Sequence, residues 1–438
     1  MTQTRYVARE RTAIESMGPV RVALLGILAY ILLFCVAPVT VVTPQTLTPY
    51  LYIAFCYLGF FCGCIIAQGP RKRGLRSDSS ASLELSDEHL MKLHRIVIAA
   101  ATLGAILKVI DTFFIRHVSL ASTAVDRVSE IDSVGPNPVS IVCAVLVPAC
   151  LLAPFTYLLL KRHNLATRTH SIVAHVLFLI PVLGSIAIGG KRSMALLYII
   201  IYVLYRVYFG RFRLTTGTII KALAGLIAIL AGSTAIFNNR LQEMNLNPLD
   251  TVYTSAFAFT LQPQAWISQI MLHDPGLIGN IAFSVLMTCQ YYLHGVFEFV
   301  YQYQNAPSMH IWGAASFNAY YKFLAVIMNW TRPSELWEAV SVRIGVFTTF
   351  FGPVFSDFGW FGVFYMTGMG ILAQRLWERS RSGFIGAVPF YIYLVYTIFL
   401  FPVGNNVTNA QGLYSISVFA LFFWLVASHT RTRRRAIS

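Results

Sequence analysis

The chain has 438 residues, of which 56% are hydrophobic and only 12% are charged, and its formal net charge at pH 7 is +15. So few charged side chains cannot cover a soluble domain of this size, which excludes an ordinary soluble enzyme or binding module. The positive charge does not indicate nucleic-acid binding, because the basic residues lie at the ends of apolar segments and are not interleaved with exposed aromatic side chains.

Apolar segments of about 20 residues recur along the chain, and each can cross the roughly 30 Å hydrocarbon core of a bilayer as a helix. In chain order, we predict membrane spans at 20–38, 49–68, 95–114, 138–160, 171–188, 193–209, 217–236, 359–377, 384–403 and 413–428. The first segment follows a polar, basic tail without a convincing cleavage site, so we expect a span and not a signal peptide. The sequence therefore predicts an all-α polytopic membrane protein whose single domain covers residues 1–438.

Most of the basic residues flank the span ends that lie on the same side as the N-terminus. Examples are the cluster Arg71-Lys72-Arg73, the cluster from Arg375 to Arg381 and the C-terminal Arg433-Arg434-Arg435. Because cytoplasmic loops carry an excess of Lys and Arg, both termini are expected in the cytoplasm.

Residues 237–358 are predicted to form one large external insertion with interfacial or re-entrant helices. The stretch from Leu241 to Tyr321 has no Lys or Arg, so nothing holds it on the cytoplasmic side. Two apolar stretches, 252–272 and 278–300, leave twelve spans as the alternative to ten.

Cysteine usage indicates neither a metal site nor a disulfide framework. At least six of the seven cysteines lie in apolar segments, where a thiol behaves as a small hydrophobic group. We expect no metal and no cofactor.

Lys191 and Arg192 form the strongest candidate anion site. They follow Gly189-Gly190 in a short hairpin at the outer interface and precede a helix, whose N-terminal N–H groups and dipole favour a phosphate. Contact with lipid headgroups is the other interpretation.

Three further arginines, Arg127, Arg240 and Arg343, lie near span ends on the same side. Their planar guanidinium groups suit bidentate phosphate binding, although an arginine in a loop is more often solvated.

His294 and Glu298 are four residues apart, so on a helix they share one face. The carboxylate could orient the imidazole as a general base, or the pair could simply stabilise an interfacial helix. His310 is a second candidate base. Within a predicted span, Lys108 and Asp111 are expected to neutralise each other.

The segment Asp357-Phe358-Gly359-Trp360-Phe361-Gly362 opens a predicted span. Aspartate is a good helix N-cap and glycine permits close helix packing, so a structural role is the first interpretation.

The layout resembles the Wzy-type polymerases, which join the repeat units of bacterial O-antigen. The resemblance covers most of the chain as topology, and as sequence it rests on IAIGGKRSMALLY at 186–198, YYLHGVFEF at 291–299 and FTTFFGPVFSDFGWFGVFYMTGMG at 347–370. The paired Arg-loop motifs of some family members are not clear here, which weakens the assignment of Arg240 and Arg127.

The resemblance implies a GT-C-like glycosyltransferase that works without metal at the periplasmic face of the bacterial inner membrane. Donor and acceptor are oligosaccharides on undecaprenyl pyrophosphate, and a co-polymerase partner commonly sets the chain length. We assign Lys191, Arg192, Arg343 and Arg240, with Arg127 as a weaker candidate, to the pyrophosphate. His294, His310, Asp357 and Glu298 are the candidates for the catalytic base or its support.

Two alternatives remain. An O-antigen ligase would share the donor and the topology, and a flippase for lipid-linked glycans would share the membrane layout. A flippase is expected to place cations inside its spans, where Lys108 is the main one in this sequence.

Overall fold

The computed structural model describes residues 16–68, 85–119, 137–189, 192–210, 217, 247–274, 276–306, 309–328, 333–343, 346–408 and 410–437. These residues are mostly helical, which makes the protein an all-α membrane protein. Within the described ranges, six helical segments are long and apolar enough to cross a membrane: Pro19–Val36, Leu47–Ala67, Asp87–Ile115, Pro138–Arg162, Arg168–Ser185 and Gln411–His429.

The first half of the chain supplies seven helices: α1 Pro19–Val36, α2 Leu47–Ala67, α3 Asp87–Val109, α4 Pro138–Leu146, α5 Ala149–Arg162, α6 Arg168–Gly189 and α7 Arg192–Tyr208. Helix α3 continues as a π-helical turn, Ile110–Ile115. Pro148 stands between α4 and α5, which together form one candidate span. Proline has no N–H and its ring crowds the preceding turn, which explains the break.

The predicted insertion contains six helices in its described part: α8 Pro248–Thr254, α9 Ala265–His273, α10 Leu277–Asn305, α11 Asn318–Met328, α12 Pro333–Val340 and α13 Phe351–Phe358. The apolar stretch 252–272 is divided between α8, a short strand and α9, so it does not form a spanning helix. Helix α10 is 29 residues long and is not among the six candidate spans.

The C-terminal part begins with a 3-10 turn, Gly359–Phe361, and continues as α14 Gly362–Arg381, a second 3-10 turn Ile385–Ala387, α15 Val388–Phe399 and α16 Ala410–Ile437. Every residue from Val388 to Ile398 in α15 is buried. Helix α15 is therefore the core of the bundle, and α1, α7, α14 and α16 pack around it.

Nine of the ten predicted spans coincide with helices α1 to α7 and α14 to α16, with α4 and α5 sharing one. The predicted span 217–236 lies outside the described residues, except for Gly217. Helices α7 and α15 are apolar but shorter than the six candidates.

A two-stranded antiparallel sheet joins the end of α1 to the insertion, and the sequence did not predict it. Strand β1, Val39–Val41, pairs with β2, Leu261–Pro263, in the register that sets Thr40 opposite Gln262. In addition, Gln290 on α10 donates from Nε2 to the carbonyl oxygens of Leu261, at 2.7 Å, and Val252, at 3.2 Å. The sheet fixes the insertion against the end of α1, and the Gln290 amide fixes α10 against α8 and β2 within the insertion.

Helices α2 and α14 are in direct backbone contact through glycines. A Cβ atom on Gly63 would lie 2.0 Å from the carbonyl oxygen of Thr367, and one on Gly370 would lie 2.1 Å from that of Phe60. Small residues allow this close approach between membrane helices, where packing contributes much of the association energy.

The predicted neutralisation of Lys108 by Asp111 is confirmed, with Nζ 3.7 Å from Oδ2. The buried carboxylate has further partners, since Arg116 donates from Nε to Oδ1 at 3.1 Å and Asn137 donates from Nδ2 to the same oxygen at 3.0 Å. This network joins the π-helical turn to the start of α4.

Replacing Gly370 by leucine is expected to separate α2 from α14 and to lower the free energy of unfolding by about 1–3 kcal/mol, because the obstructing atoms belong to the backbone. Gly368→Leu is the matched control, since a Cβ there meets nothing within 4 Å. Thermal unfolding in detergent measures both variants. Equal melting temperatures for them would contradict this packing.

Candidate functional site

A cavity of about 370 Å³ lies where α10, α11 and α12 meet the segments that precede α13 and α16. We call it the polar cavity because most of its lining side chains are polar: Glu298, Gln302, Asn318, Lys322, Glu338, Ser341, Arg343, Thr348, Asn405 and Thr408. Its volume falls within the range of small-molecule sites.

The polar cavity lies at one end of the bundle. Asn405 and Thr408 belong to the connection between α15 and α16, whereas α14 and α15 are connected at the other end, near Arg379 and Arg381. The cavity is therefore separated from the basic end of α14 by the length of that helix, about 30 Å for 20 residues.

Arg343 and Glu298 form an ion pair in the cavity wall. Nη1 of Arg343 donates to Oε2 of Glu298 at 2.6 Å, and Nη2 donates to the carbonyl oxygen of Ala256 at 2.8 Å. The guanidinium carbon also lies 4.0 Å from the centre of the Phe259 ring. These three contacts fix the plane of the guanidinium group before any ligand binds.

Glu298 is the more deeply buried partner, with 4% of its side chain exposed against 20% for Arg343. Burial raises the pKa of Glu298, and the nearby Arg343 opposes that rise. A carboxyl group whose pKa is raised in this way binds a proton more readily, which suits a proton acceptor.

His294 lies one turn before Glu298 on α10, but the two side chains have different partners. The Nδ1 atom of His294 lies 3.0 Å from the carbonyl oxygen of Gln290, and a carbonyl can only accept, so Nδ1 carries the proton. Its ring packs between Phe257 and Phe347, with ring centres 4.4 and 4.3 Å away.

The Nε2 atom of His294 is buried and has no hydrogen-bond partner among the described residues. Burial lowers the pKa of His294 to about 4, so the ring is neutral at pH 7. Phe347 lines the polar cavity and contacts the imidazole, whereas His294 is not a lining residue. The histidine therefore lies behind the cavity wall.

Asp357 fixes the turn before α11. Its two carboxylate oxygens accept hydrogen bonds from the backbone N–H groups of Ala315, at 2.9 Å, and Ser316, at 2.7 Å. The side chain is fully buried, and burial raises the pKa of Asp357 while these donors oppose the rise. The expected N-cap role is wrong, because Asp357 lies in the last turn of α13 and Phe361 occupies the N-cap position of α14.

Gly359 allows the chain to turn at the end of the Asp357-Phe358-Gly359 segment. Its φ is +54°, in the left-handed region that favours glycine, and a Cβ there would lie 2.5 Å from Nε2 of His310. The backbone N–H groups of Ile311 and Trp312 donate to the carbonyl oxygens of Ser356 and Asp357. His310 is thus packed against the Asp-Phe-Gly turn, and it is not among the residues that line the polar cavity.

The structure brings together two of the nine predicted site residues, Arg343 and Glu298, in the cavity. His310 and Asp357 lie together at the adjoining turn, behind Ala315. Lys191, Arg127 and Arg240 lie outside the described residues, as does the side chain of Arg192, whose backbone begins α7.

Sequence reasoning did not select Lys322, Glu338 and Gln302 as site residues, although all three line the cavity. Lys322 had a signal, because it is the first cation after the stretch that ends at Tyr321. Glu338 had no such signal, since a single polar residue on a short amphipathic helix is usually solvated, and Gln302 is an uncharged residue just beyond the apolar stretch 278–300.

Comparisons of the chain with protein-family models, with curated proteins and with solved structures found no match.

Replacing Arg343 by methionine is expected to lower the free energy of unfolding by about 2–4 kcal/mol, because it leaves the Glu298 carboxylate buried without its cation. The double variant Glu298→Gln/Arg343→Met should recover much of this loss, since the buried charge is then absent. Denaturant unfolding of the two single variants and the double variant measures the coupling energy.

The loss in Arg343→Met is also expected to depend on pH. Without Arg343 the pKa of Glu298 rises further, so the folded state keeps a proton that the unfolded chain releases near pH 4.3 (about the ordinary glutamate value). Stability should therefore fall as pH rises from about 4.3 through the raised pKa, and the double variant should lack this dependence. If the loss of unfolding free energy in Arg343→Met became smaller as pH rises, the pairing of Arg343 with Glu298 would be contradicted.

Asp357→Asn is expected to lower the free energy of unfolding by about 1–3 kcal/mol, because an amide accepts at one oxygen and sets an N–H donor against the other backbone donor. Proteolysis of the 309–317 turn should accelerate in parallel. Asp250→Asn is the control, since Asp250 is exposed on α8. An Asp357→Asn variant as stable as that control would rule out the structural role.

Proposed function

We propose that the protein is a glycosyltransferase that polymerises oligosaccharide repeat units carried on undecaprenyl pyrophosphate. The observation that supports it most directly is a fixed arginine beside a buried carboxyl group in the wall of one polar cavity, at the bundle end remote from the basic helix ends. The resemblance of three sequence segments to Wzy-type polymerases supplies the substrate class.

The location of the cavity agrees with a periplasmic reaction. If the basic ends of α14 and α16 lie in the cytoplasm, the polar cavity opens toward the opposite face of the bilayer. Both termini are then cytoplasmic. The donor pyrophosphate sits at the headgroup level of that face, within reach of the cavity.

We assign the anion-binding role to Arg343 and Lys322. Arg343 is fixed by Glu298, Ala256 and Phe259 and needs no rearrangement to face a developing charge. Lys322 is exposed on α11 and can move, so it is suited to follow the leaving diphosphate. Lys191, Arg192, Arg240 and Arg127 remain assigned to the pyrophosphate by sequence, with Arg127 the weakest.

Among the four candidate bases, Glu298 is the one that lines the polar cavity in the described part of the chain. In the reaction, the acceptor hydroxyl oxygen attacks the anomeric carbon of the donor and forms the new C–O bond. The old bond from that carbon to the phosphate oxygen breaks, and the diphosphate leaves with its electron pair. Glu298 takes the hydroxyl proton, and Arg343 and Lys322 balance the charge on the diphosphate.

The direct test uses purified protein in liposomes with undecaprenyl-pyrophosphate repeat units and no divalent metal. We expect a ladder of chain lengths, because each product can act again as donor. Glu298→Gln should reduce kcat by about 100-fold or more, the usual contribution of a positioned base, and Lys322→Gln should act mainly on donor binding.

Glu335→Gln is the matched control, because Glu335 is exposed on α12 and is not among the residues that line the cavity. Unfolding curves for each variant separate loss of activity from loss of fold. A product of one fixed length, or full activity in Glu298→Gln, would overturn the assignment.

Surface polysaccharide from a strain without this protein separates the alternatives. Loss of a polymerase leaves one repeat unit on the lipid core, and loss of a ligase leaves none. Loss of a flippase accumulates the lipid-linked unit inside the membrane.

A further inference from the structure

A second cavity, of about 460 Å³, lies at the other end of α14, where α1 begins and α2 ends. We call it the basic cavity, and the residues that carry the argument are Arg21, Gln68, Gln374, Trp377 and Arg381. It is one helix length from the polar cavity, about 30 Å for the 20 residues of α14, which is about the thickness of the hydrocarbon core. The two cavities are therefore at the levels of opposite headgroup layers.

The two cavities differ in charge. Two carboxylates, Glu298 and Glu338, balance Arg343 and Lys322 in the wall of the polar cavity. Among the described lining residues of the basic cavity, two are arginines and none is acidic. Such a lining attracts an anion, and the Glu378 carboxylate, which is not among these lining residues, accepts a hydrogen bond from Gln374.

Arg381 is held in place by an aromatic ring. Its guanidinium carbon lies 5.3 Å from the centre of the Trp377 ring, a cation–π geometry. Trp377 in turn packs on the start of α1, since a Cβ on Gly18 would lie 3.7 Å from the indole. The tryptophan therefore joins Arg381 to the helix end that carries Arg21.

The backbone at the start of α1 adds to the two arginines. Helix α1 begins after Gly18 with Pro19 in its first turn and has no side-chain cap, so the positive end of its dipole faces the cavity. Gln374 is 2% exposed yet lines the cavity, and its Nε2 donates to Oε1 of Glu378 at 2.8 Å. That hydrogen bond fixes a buried amide in the floor of the site.

We propose that the basic cavity binds the phosphate group of an anionic membrane lipid at the headgroup layer next to the basic helix ends. Guanidinium groups bind phosphate oxygens bidentately, and the apolar surfaces of α1 and α2 continue from the cavity into the bilayer, where acyl chains lie. A soluble phosphomonoester shares this chemistry. The proposal is independent of the glycosyltransferase function.

The test compares thermal unfolding and native mass spectrometry of the full chain with phosphatidylglycerol, with phosphatidylcholine and with glycerol 1-phosphate. Phosphatidylglycerol should raise the melting temperature and remain bound, and Arg21→Gln/Arg381→Gln should weaken its binding about tenfold or more. Arg379→Gln should bind like the parent protein, because Arg379 is in the same helical turn but stacks on Phe423, at 5.2 Å.

Each outcome decides the proposal. An equal effect of phosphatidylglycerol and phosphatidylcholine overturns the assignment to an anionic lipid, because both lipids carry a phosphate group and only phosphatidylglycerol has a net negative charge. Equal binding by the double variant and Arg379→Gln overturns the arginine site. An effect of glycerol 1-phosphate as large as that of phosphatidylglycerol overturns the lipid assignment and leaves a soluble phosphate ester as the ligand. Circular dichroism of the double variant in detergent shows whether its fold is retained, and the Arg21→Gln and Arg381→Gln single variants replace it if it is not.

Discussion

Helices α2 and α14 are closer together than any residue other than glycine allows at Gly63 and Gly370, and this contact sets the position of much of the site. It fixes α14, and through α14 it fixes the turn at Gly359, which immediately precedes that helix. The turn then places Asp357, whose carboxylate holds the backbone at Ala315 and Ser316. Because Ala315 lines the polar cavity, helix packing inside the bundle determines part of the shape of a site at its end.

The roles of the charged groups follow from their partners more than from their types. Glu298 shares a helix face with His294, yet its carboxylate is bound by Arg343, which comes 45 residues later in the chain. This pairing turns a candidate helper of a histidine base into the candidate base itself, and it gives Arg343 a fixed direction. His294 becomes a neutral ring between aromatic side chains, behind the wall that Phe347 forms.

The polar cavity and the basic cavity differ in the charged groups that line them, and this difference suits them to two different roles. Acidic and basic groups together, as in the polar cavity, can move a proton and balance a leaving anion in the same place. Arginines with no carboxylate among the described lining residues, as in the basic cavity, can hold an anion. Helix α14 runs from the level of the polar cavity to the basic cavity, so the two cavities belong to one helical bundle.

The sequence by itself determined the membrane character and the position of most helices, because about 20 apolar residues in lipid have few alternatives to a helix. It also selected Arg343, Glu298 and the Asp-Phe-Gly motif as notable, because charges and glycines are rare in such a chain. Only the tertiary structure decided that Asp357 supports the turn before α11, that 252–272 is broken around strand β2, and that Lys322 and Glu338 line the same cavity as Arg343. These features depend on contacts between residues far apart in the chain, and local pattern carries no information about which distant group will satisfy a buried charge or an unpaired backbone donor.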